Sequence, residues 1–244
     1  MIKFFRKIRQ RLLTENKPAL PAGRFSKYLL YAMGEIILVV IGILIALSIN
    51  NWNEKSIEES NELKYYKNIK RQLIEDKNAI NVNIDYNTHY LKEYQQAINI
   101  IEENDTTLVD SLVRISVNLL EFSDFHRQSN IYETMVNSGE IKLLKNQQII
   151  EALQQLEEKY IYINKLEDTH SQAVIKFVVP SIISSIKVLN MRAENIEKLY
   201  SFEFQNLFAL VADLMTGKNE AYENIVFRIN SINKLLDDEI AQKN

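Results

Sequence analysis

The sequence predicts an all-α protein: one N-terminal transmembrane helix followed by an antiparallel bundle of long helices on a stalk. Three observations indicate this fold class. Residues 28–52 form a long apolar stretch. Glycine and proline are scarce, with 5 and 3 in 244 residues, which disfavours turn-rich β architectures. After residue 52, apolar residues recur at three-, four- or seven-residue steps, the spacing of buried helix faces.

Residues 28–52 are the predicted membrane span. A bilayer core needs about 20 apolar residues of helix, and the purely apolar run 36–47 is too short, so the helix must extend on both sides. Tyr28 and Trp52 then fall near the interfaces, where amphipathic rings prefer to lie. The rival interpretation is a cleaved signal peptide, because Ala46-Leu47-Ser48 is a passable cleavage site; against it, more than 30 residues precede the apolar run.

One carboxylate, Glu35, falls inside this span. An intramembrane acid is costly and by default suggests a functional site, here a protonatable or partner-binding group within an oligomer. The alternative is a protonated Glu bonded to a backbone carbonyl, or one that reaches the headgroups. Gly34, Gly42 and Ala46 would let a second helix approach closely, because small residues line helix contacts in membranes.

Charge is distributed unevenly around the span. Residues 1–52 contain eight Lys or Arg and two Glu, whereas the remainder has an excess of nine acidic residues. Basic flanks stay in the cytoplasm. We therefore expect an inner-membrane protein with a cytoplasmic N-terminus and a periplasmic C-terminal domain. The acidic domain argues against nucleic-acid binding, and the absence of cysteine excludes disulfides and thiolate metal sites.

The predicted organisation has three parts. Residues 1–27 are a basic cytoplasmic flank and linker, residues 28–52 are the span, and residues 53–244 are the helical extracytoplasmic domain. Within the flank, residues 1–13 show the pattern of a helix on an anionic membrane surface, or of a simple positive-inside segment. Residues 14–24 contain two prolines and predict a linker.

A stalk helix is predicted over residues 56–103. It has a coiled-coil-like apolar stripe that Lys77 and Asn87 interrupt. Asn104-Asp105 can end this helix and cap a second one, which extends to about residue 121.

Residues 123–130 are polar and predict a loop. A short helix follows over residues 131–136, and Gly139 suits its C-cap. After residue 146 a second long helix begins, which Pro180 should kink or end.

The remaining sequence predicts three more helical segments. Residues 182–200 continue as helix, and residues 202–215 form another apolar helix. Residues 216–219, Thr-Gly-Lys-Asn, predict a turn before a last helix that is striped with apolar residues from 222 to 240.

Residues that suggest catalysis or metal binding are sparse. His89, His126 and His170 are far apart and lack a second ligand at metal spacing; His170, on an apolar face, is interpreted as a hydrogen-bonded core histidine. Four glutamates of the second long helix lack the Glu-x-x-His pattern of di-iron bundles and are interpreted as a solvated face: Glu151, Glu157, Glu158 and Glu167. We predict no metal, no cofactor and no enzymatic activity.

The best candidate for a specific surface is the corner at Ser138 and Gly139, with Tyr132 and Glu133 one or two turns upstream. The alternative interpretation of this corner is a helix cap with a packed tyrosine.

Two parts of the sequence resemble an uncharacterised family of single-span membrane proteins common in Bacteroidota. These are the N-terminal MIKFFRKIRQRLL with FSKYLLYAMGEIILVVIGILIALSINNWNE, and YETMVNSGEI followed by LLKN at residues 143–146. Gly34-Glu35 and the exit at residues 49–54 recur in that family as a block. The resemblance implies an inner-membrane location and a helical domain, and it implies no activity.

Bacteria of this phylum also O-glycosylate short periplasmic motifs that begin with Asp. Asp105-Thr106-Thr107 and Asp110-Ser111-Leu112 are similar to that motif. The similarity implies Thr106 and Ser111 as candidate glycosylation sites.

The function that these features favour is a membrane-anchored periplasmic interaction or scaffold module, or an accessory subunit of an envelope complex. One alternative is an extracytoplasmic sensor or ligand-binding bundle. Another is a proton-coupled oligomeric element that uses Glu35. The expected partners are the lipid bilayer and either further copies of the chain or another envelope protein.

Overall fold

The computed structural model describes residues 22–127 and 129–243, with side chains from residue 28 onward. Its elements are α1 (Ala22–Glu102), α2 (Val109–Val117), α3 (Ile131–Ser138), α4 (Gln147–Ala173), α5 (Val179–Ser185), β1 (Ile186–Lys187), β2 (Arg192–Ala193), α6 (Ile196–Leu199) and α7 (Phe202–Lys243). Short 3-10 turns cover Thr106–Leu108, Asn118–Leu120, Glu140–Leu143 and Val188–Asn190. The all-α prediction is confirmed. The predicted surface helix of residues 1–13 and most of the linker lie outside the described residues.

The chain divides into two compact units, residues 1–58 and residues 59–244. In the first unit, every described side chain from residue 28 to residue 58 is exposed. By length and composition, α1 contains one stretch apolar enough to cross a membrane, and no residue in the most apolar part of that stretch is buried. A signal sequence near an N-terminus has a similar length and apolar composition.

The second unit consists of four passes of the chain. Two hydrogen-bonded pairs join α1 to α4 and the residue before it: Tyr66 with Asn146, and Asp76 with Tyr160. Three pairs join α1 to α7: Lys70 with Asp237, Lys77 with Asn230, and Asn87 with Asn219. Because residue numbers rise together in the first pairs and oppose each other in the second, α1 and α4 run parallel and α7 runs antiparallel to both. The return segment, residues 103–146, leads the chain back from the end of α1 to the start of α4.

Two apolar cores lie at different heights in this unit. The first joins α1, α4 and α7 around residues such as Tyr66, Leu153 and Ile229. The second joins the end of α1 with α2, α5 and the start of α7 around Tyr94 and Phe208. Between them, three helices each contribute one fully buried polar side chain: Asn87, His170 and Lys218.

The predicted helix over residues 182–200 is wrong for residues 186–195, whereas its two ends are helical in α5 and α6. Helix α5 ends at Ser185, and a two-stranded antiparallel hairpin pairs Ile186 with Ala193. The run from 182 to 188 keeps the apolar spacing of a helix, but it is rich in β-branched residues and Ser, which favour strands and turns. The Ser185 carbonyl accepts hydrogen bonds from the backbone N–H groups of Glu194 and Asn195, at 2.9 and 3.1 Å, which caps the helix.

The predicted effect of Pro180 is local. A π-helical turn, Val174–Val178, lies directly before it and joins α4 to α5. Proline lacks an N–H and its ring crowds the preceding turn. The wider π turn accommodates this change, and the helix continues for five residues beyond Pro180 to Ser185.

The predicted turn at residues 216–219 is also wrong, because α7 is helical throughout this stretch. Lys218 falls on the buried stripe between Met215 and Tyr222. Its ammonium group donates a hydrogen bond to the Ser123 backbone carbonyl at 2.8 Å, and the side-chain amide oxygen of Asn219 accepts one from the side-chain amide of Asn87 at 2.8 Å. Tertiary contacts therefore override the weak helix propensity of this sequence.

Gly217→Ala should stabilise the protein by about 0.5–1 kcal/mol, because alanine is the better helix former. The new Cβ would meet no heavy atom within 4 Å. Gly139→Ala is the matched control: the space is equally open, but φ is +73°, so we expect a loss of about 1–2 kcal/mol. Urea unfolding of the full-length protein in detergent measures both changes. A destabilising Gly217→Ala would contradict the helical assignment.

Candidate functional site

The most unusual part of the second unit is the strap, residues 121–130, which has no regular secondary structure where it is described. Residue 128 lies outside the described residues. Ser123 and Phe125 of the strap are 4% exposed, so their backbone groups are away from water. Buried N–H and C=O groups without secondary structure require side-chain partners. The helices around the strap provide them.

Three side chains, which we call the clamp, bond to the strap backbone: Gln72 of α1, Glu167 of α4 and Lys218 of α7. Glu167 accepts a hydrogen bond from the Phe125 N–H at 2.9 Å and another from the Tyr222 hydroxyl. Lys218 donates to the Ser123 carbonyl. Each clamp residue comes from a different helix, so the strap is held only when all three helices are packed.

Gln72 holds the other end of the strap with both atoms of its amide. Its nitrogen donates to the Ser129 carbonyl at 2.7 Å, and its oxygen accepts from the Ile131 N–H at 2.9 Å. The second bond also satisfies a donor at the start of α3, where helical N–H groups lack partners. This glutamine therefore positions the strap and the next helix together.

A bidentate ion pair supports this end of the strap. The Arg127 guanidinium donates to both carboxylate oxygens of Glu157, at 2.6 and 2.9 Å, and lies 4.2 Å from the centre of the Tyr160 ring. The Tyr160 hydroxyl donates to Asp76 at 2.9 Å. Planar two-point pairing and stacking on an aromatic face are the interactions that arginine makes best.

Burial acts in opposite directions on the charged clamp residues. It raises the pKa of Glu167, although the Tyr222 hydroxyl and the Phe125 N–H oppose the rise by bonding to the carboxylate. It lowers the pKa of Lys218 to about 8, against the favourable charges of Glu167 and Asp124. Burial thus favours the neutral form of each group, and their mutual attraction favours the charged forms. Two of the three clamp residues, Glu167 and Lys218, are therefore buried groups whose charge depends on pH.

His170 lies in the same buried layer, fully buried, with its ring 5.4 Å from the ring of Phe122. The prediction of a core histidine is confirmed, but the expected hydrogen bond is not found: neither ring nitrogen has a partner among the described residues. Burial, together with the positive charge of Lys218, lowers the pKa of His170 to about 3. The ring is therefore neutral in the folded chain at any physiological pH.

His170→Leu should remove part of the acid sensitivity of the protein. Between pH 6.5 and about 3 this histidine binds a proton in the unfolded chain and not in the folded one. The free energy of unfolding therefore falls as the pH falls, by up to about 1.4 kcal/mol per pH unit from this group. Urea unfolding from pH 7.5 to 4.5 should show a shallower acid slope for His170→Leu.

The control for this prediction is His89→Leu, because the His89 side chain is 68% exposed. Its unfolding profile should follow that of the wild type. Parallel profiles for His170→Leu and the wild type would contradict the assigned protonation state.

The predicted corner is built as a helix end. Asn130 caps α3 by accepting a hydrogen bond from the Glu133 N–H at 3.0 Å, and Gly139 adopts the left-handed conformation at the C-cap. The Ser138 hydroxyl donates to Glu140 at 3.0 Å. Tyr132 packs against the first core, and burial raises its pKa. These contacts give each residue a structural role, and a binding role for the corner stays a prediction.

Near this corner, Glu62 of α1 joins three parts of the unit. Its carboxylate, 1% exposed, accepts hydrogen bonds from the Tyr66 hydroxyl at 2.8 Å, the Lys145 N–H at 2.7 Å and the Lys243 ammonium at 2.7 Å. Burial alone would raise the pKa of Glu62, but these donors outweigh it and the pKa is lowered. Glu62 thus connects α1 with the start of α4 and the end of α7.

The remaining predicted residues are not brought to the clamp. Glu35, Gly34, Gly42 and Ala46 all lie in the apolar stretch of α1 and are exposed. Their roles stay predictions.

Both candidate glycosylation sites lie near the end of the unit where the return segment begins. Thr106 is exposed in a 3-10 turn, whereas Ser111 is half-buried within α2. The exposed threonine fits the predicted modification better than the serine does.

Sequence reasoning missed the clamp. Glu167 was expected on a solvated face, yet it is 4% exposed. A signal existed, because Lys218 falls on the apolar stripe between Met215 and Tyr222 and Asn87 interrupts the stripe of α1. Among the described residues, no group of three His, Asp or Glu is placed to hold a metal ion.

Fold and site together describe a helical bundle that follows an exposed apolar helix and encloses a clamped strap. The chain belongs to a family of unknown function, DUF6090, whose model matches residues 35–213. The match begins within the apolar stretch and includes the whole strap. It confirms the resemblance to an uncharacterised family. Searches of curated proteins and of solved structures give no match.

Proposed function

We propose that this chain is a membrane-anchored helical interaction module, either a scaffold or an accessory subunit of an envelope complex. The observation that supports it best is the contrast between the two units. Residues 28–58 expose every side chain although most of residues 28–52 are apolar, whereas residues 59–244 contain two cores of their own. An apolar surface of this extent requires a bilayer or a partner to cover it.

The proposed location is the inner membrane, with the N-terminus in the cytoplasm and residues 59–244 in the periplasm. The basic residues before residue 28 and the acidic excess after residue 52 support this orientation. Because the chain has no cysteine, single cysteines can test it. A membrane-impermeant maleimide should label Glu103→Cys in cells with a permeabilised outer membrane, and Thr14→Cys only after lysis. The reverse pattern would contradict the orientation.

The interaction itself is tested by gentle extraction of the tagged full-length protein from its own membrane, followed by native mass measurement. The control carries residues 1–58 fused to an unrelated soluble domain. A homo-oligomer or a second protein recovered with the full chain and not with the control supports the proposal. A monomer without a partner over a range of mild detergents would contradict it.

A second candidate function, an extracytoplasmic sensor, is supported by the clamp. Three helices hold one strap through buried polar groups, so a ligand that favours one arrangement of the strap would shift the packing of all three. Ligand-induced thermal stabilisation of the full chain that Gln72→Leu reduces would support this function. Stabilisation that is the same in Gln72→Leu and in the wild type would argue against a role of the strap.

The proton-coupled element based on Glu35 is the third proposal. Glu35→Gln should leave assembly intact while abolishing activity in cells. A Glu35→Gln strain with unchanged phenotype, next to a deletion strain with a clear one, would exclude it.

A further inference from the structure

The hairpin between α5 and α6 presents an apolar tip to solvent. Leu189 is 94% exposed, Val188 45% and Met191 40%. The base of the hairpin is fixed, because Ile186 is buried in the second core and Ser185 accepts two backbone hydrogen bonds across the hairpin. The tip, residues 188–191, is therefore an exposed apolar protrusion whose base is held by the second core and by backbone hydrogen bonds.

Folding does not require apolar residues at this tip. Met191 has a φ of +51°, a left-handed conformation in which Gly or Asn is more stable than a bulky side chain. Leu189 is almost completely exposed, so it contributes little to the cores. The chain thus keeps two large apolar side chains where the fold alone favours smaller or polar ones. Such local conflicts are typical of functional surfaces.

Cations flank the tip on both strands. Lys187 and Arg192 are register partners in the two-stranded sheet, directly below the apolar residues. Glu194 lies 3.9 Å from Lys187, but both side chains are more than half exposed, so this pair is weak and leaves the lysine available. Apolar residues above a pair of cations match the layers of an anionic bilayer surface, where acyl chains lie beneath phosphates.

We propose that the tip, residues 188–191, inserts into the headgroup region of an anionic phospholipid bilayer, with Lys187 and Arg192 on the lipid phosphates. A protein partner is the weaker alternative, because a stable protein interface buries on the order of 1,000 Å² or more, and a convex tip of four residues offers only a fraction of that. Interfacial insertion needs only a few apolar side chains and nearby cations. The proposal does not depend on residues 28–52 being an anchor.

Site-specific fluorescence tests this proposal. The full-length protein, held in phosphatidylcholine nanodiscs, carries an environment-sensitive dye on Asn190→Cys, which retains all three apolar tip residues. The control carries the dye on Asn78→Cys, an exposed position of α1. Vesicles of phosphatidylcholine, with or without one-third phosphatidylglycerol, are then added. We expect a blue shift at position 190 only, and only with the anionic vesicles.

The basic residues before residue 28 also attract anionic vesicles, but they are the same in both labelled proteins, so the difference between the dyes reports the tip. Leu189→Ser should weaken the vesicle affinity that the dye at position 190 reports by about tenfold, because one large apolar side chain no longer enters the bilayer. Lys187→Gln with Arg192→Gln should also weaken it, most strongly at low salt.

Met191→Gly is the decisive variant, because it relieves the left-handed backbone and should leave the fold at least as stable while weakening vesicle binding. The proposal is overturned by no shift at position 190, by equal shifts with both vesicle types, or by equal shifts at positions 78 and 190. A shift that grows with protein concentration without vesicles also overturns it and assigns the tip to a contact between copies.

Discussion

Glu167→Ala should destabilise the protein by about 3–5 kcal/mol, the cost of leaving a buried charge without its partner. The change leaves the Phe125 N–H and the Tyr222 hydroxyl without their acceptor and removes the negative charge that favours ionised Lys218. Each unsatisfied buried group adds to the cost. Urea unfolding of the full-length protein in detergent measures the change. Amide hydrogen exchange should also show that the Phe125 N–H loses protection.

Two variants of the same helix control this prediction. Glu167→Gln keeps one acceptor oxygen and should cost less than Glu167→Ala. Glu158→Ala removes an exposed carboxylate and should stay within about 0.5 kcal/mol of the wild type. If Glu167→Ala is as stable as Glu158→Ala, the strap does not depend on the clamp.

Glu62→Ala should cost about 2–4 kcal/mol, because a buried carboxylate with three donors is removed and two of those donors, the Tyr66 hydroxyl and the Lys145 N–H, lose their acceptor. The loss of amide hydrogen-exchange protection should be greatest where α1, the start of α4 and the end of α7 meet. Because the pKa of Glu62 is lowered, its stabilising effect is complete above the ordinary value of 4.5 and is lost as the pH falls through the lowered value.

The matched control removes only the charge partner. Glu62 keeps the Tyr66 hydroxyl and the Lys145 N–H as donors when Lys243 is removed, and the Lys243 side chain is 23% exposed, so Lys243→Met should cost less than Glu62→Ala. Hydrogen exchange locates the effect: Glu62→Ala should expose the Lys145 N–H, and Lys243→Met should not. Equal losses from the two variants would mean that the ion pair, rather than the backbone bond, stabilises this end of the unit.

The two predictions concern one physical problem. In a bundle of four helical passes, each backbone would satisfy its own hydrogen bonds. Here the return segment contains short helices and an extended strap, so its backbone groups depend on buried side chains. That requirement explains why Gln72, Glu167 and Lys218 occupy core positions. It also makes this part of the unit the one most sensitive to single substitutions.

Long helices were predictable where the apolar period is sustained. The apolar stripes of α1, α4 and the second half of α7 are local patterns, and residues on them, such as Tyr66, Leu153 and Ile229, lie in the first core. Gly139 ends α3 in the left-handed conformation that its position after a short apolar helix predicts. The polar loop over residues 123–130 was also recognised from its composition.

Errors occurred where local propensity and tertiary contacts disagree. Residues 216–219 have turn-like composition, but Lys218 and Asn219 are held in α7 by the strap and by Asn87. Residues 186–193 have helical spacing, yet they form a hairpin. For residues 216–219 the deciding partners are far away in the sequence, so no local pattern contains them. For the hairpin the partners are near, and the strand and turn propensity of β-branched residues and Ser outweighs the helical spacing.

By itself, the sequence determined the all-α class, the single apolar stretch at residues 28–52 and the positions of the long helices, because hydrophobic period and helix caps act over a few residues. Only the tertiary structure decided the parallel course of α1 and α4, the burial of Glu167 and Lys218, and the exposed apolar tip at residues 188–191. The physical reason is that a polar group tolerates burial only where a distant segment supplies its hydrogen-bond partner.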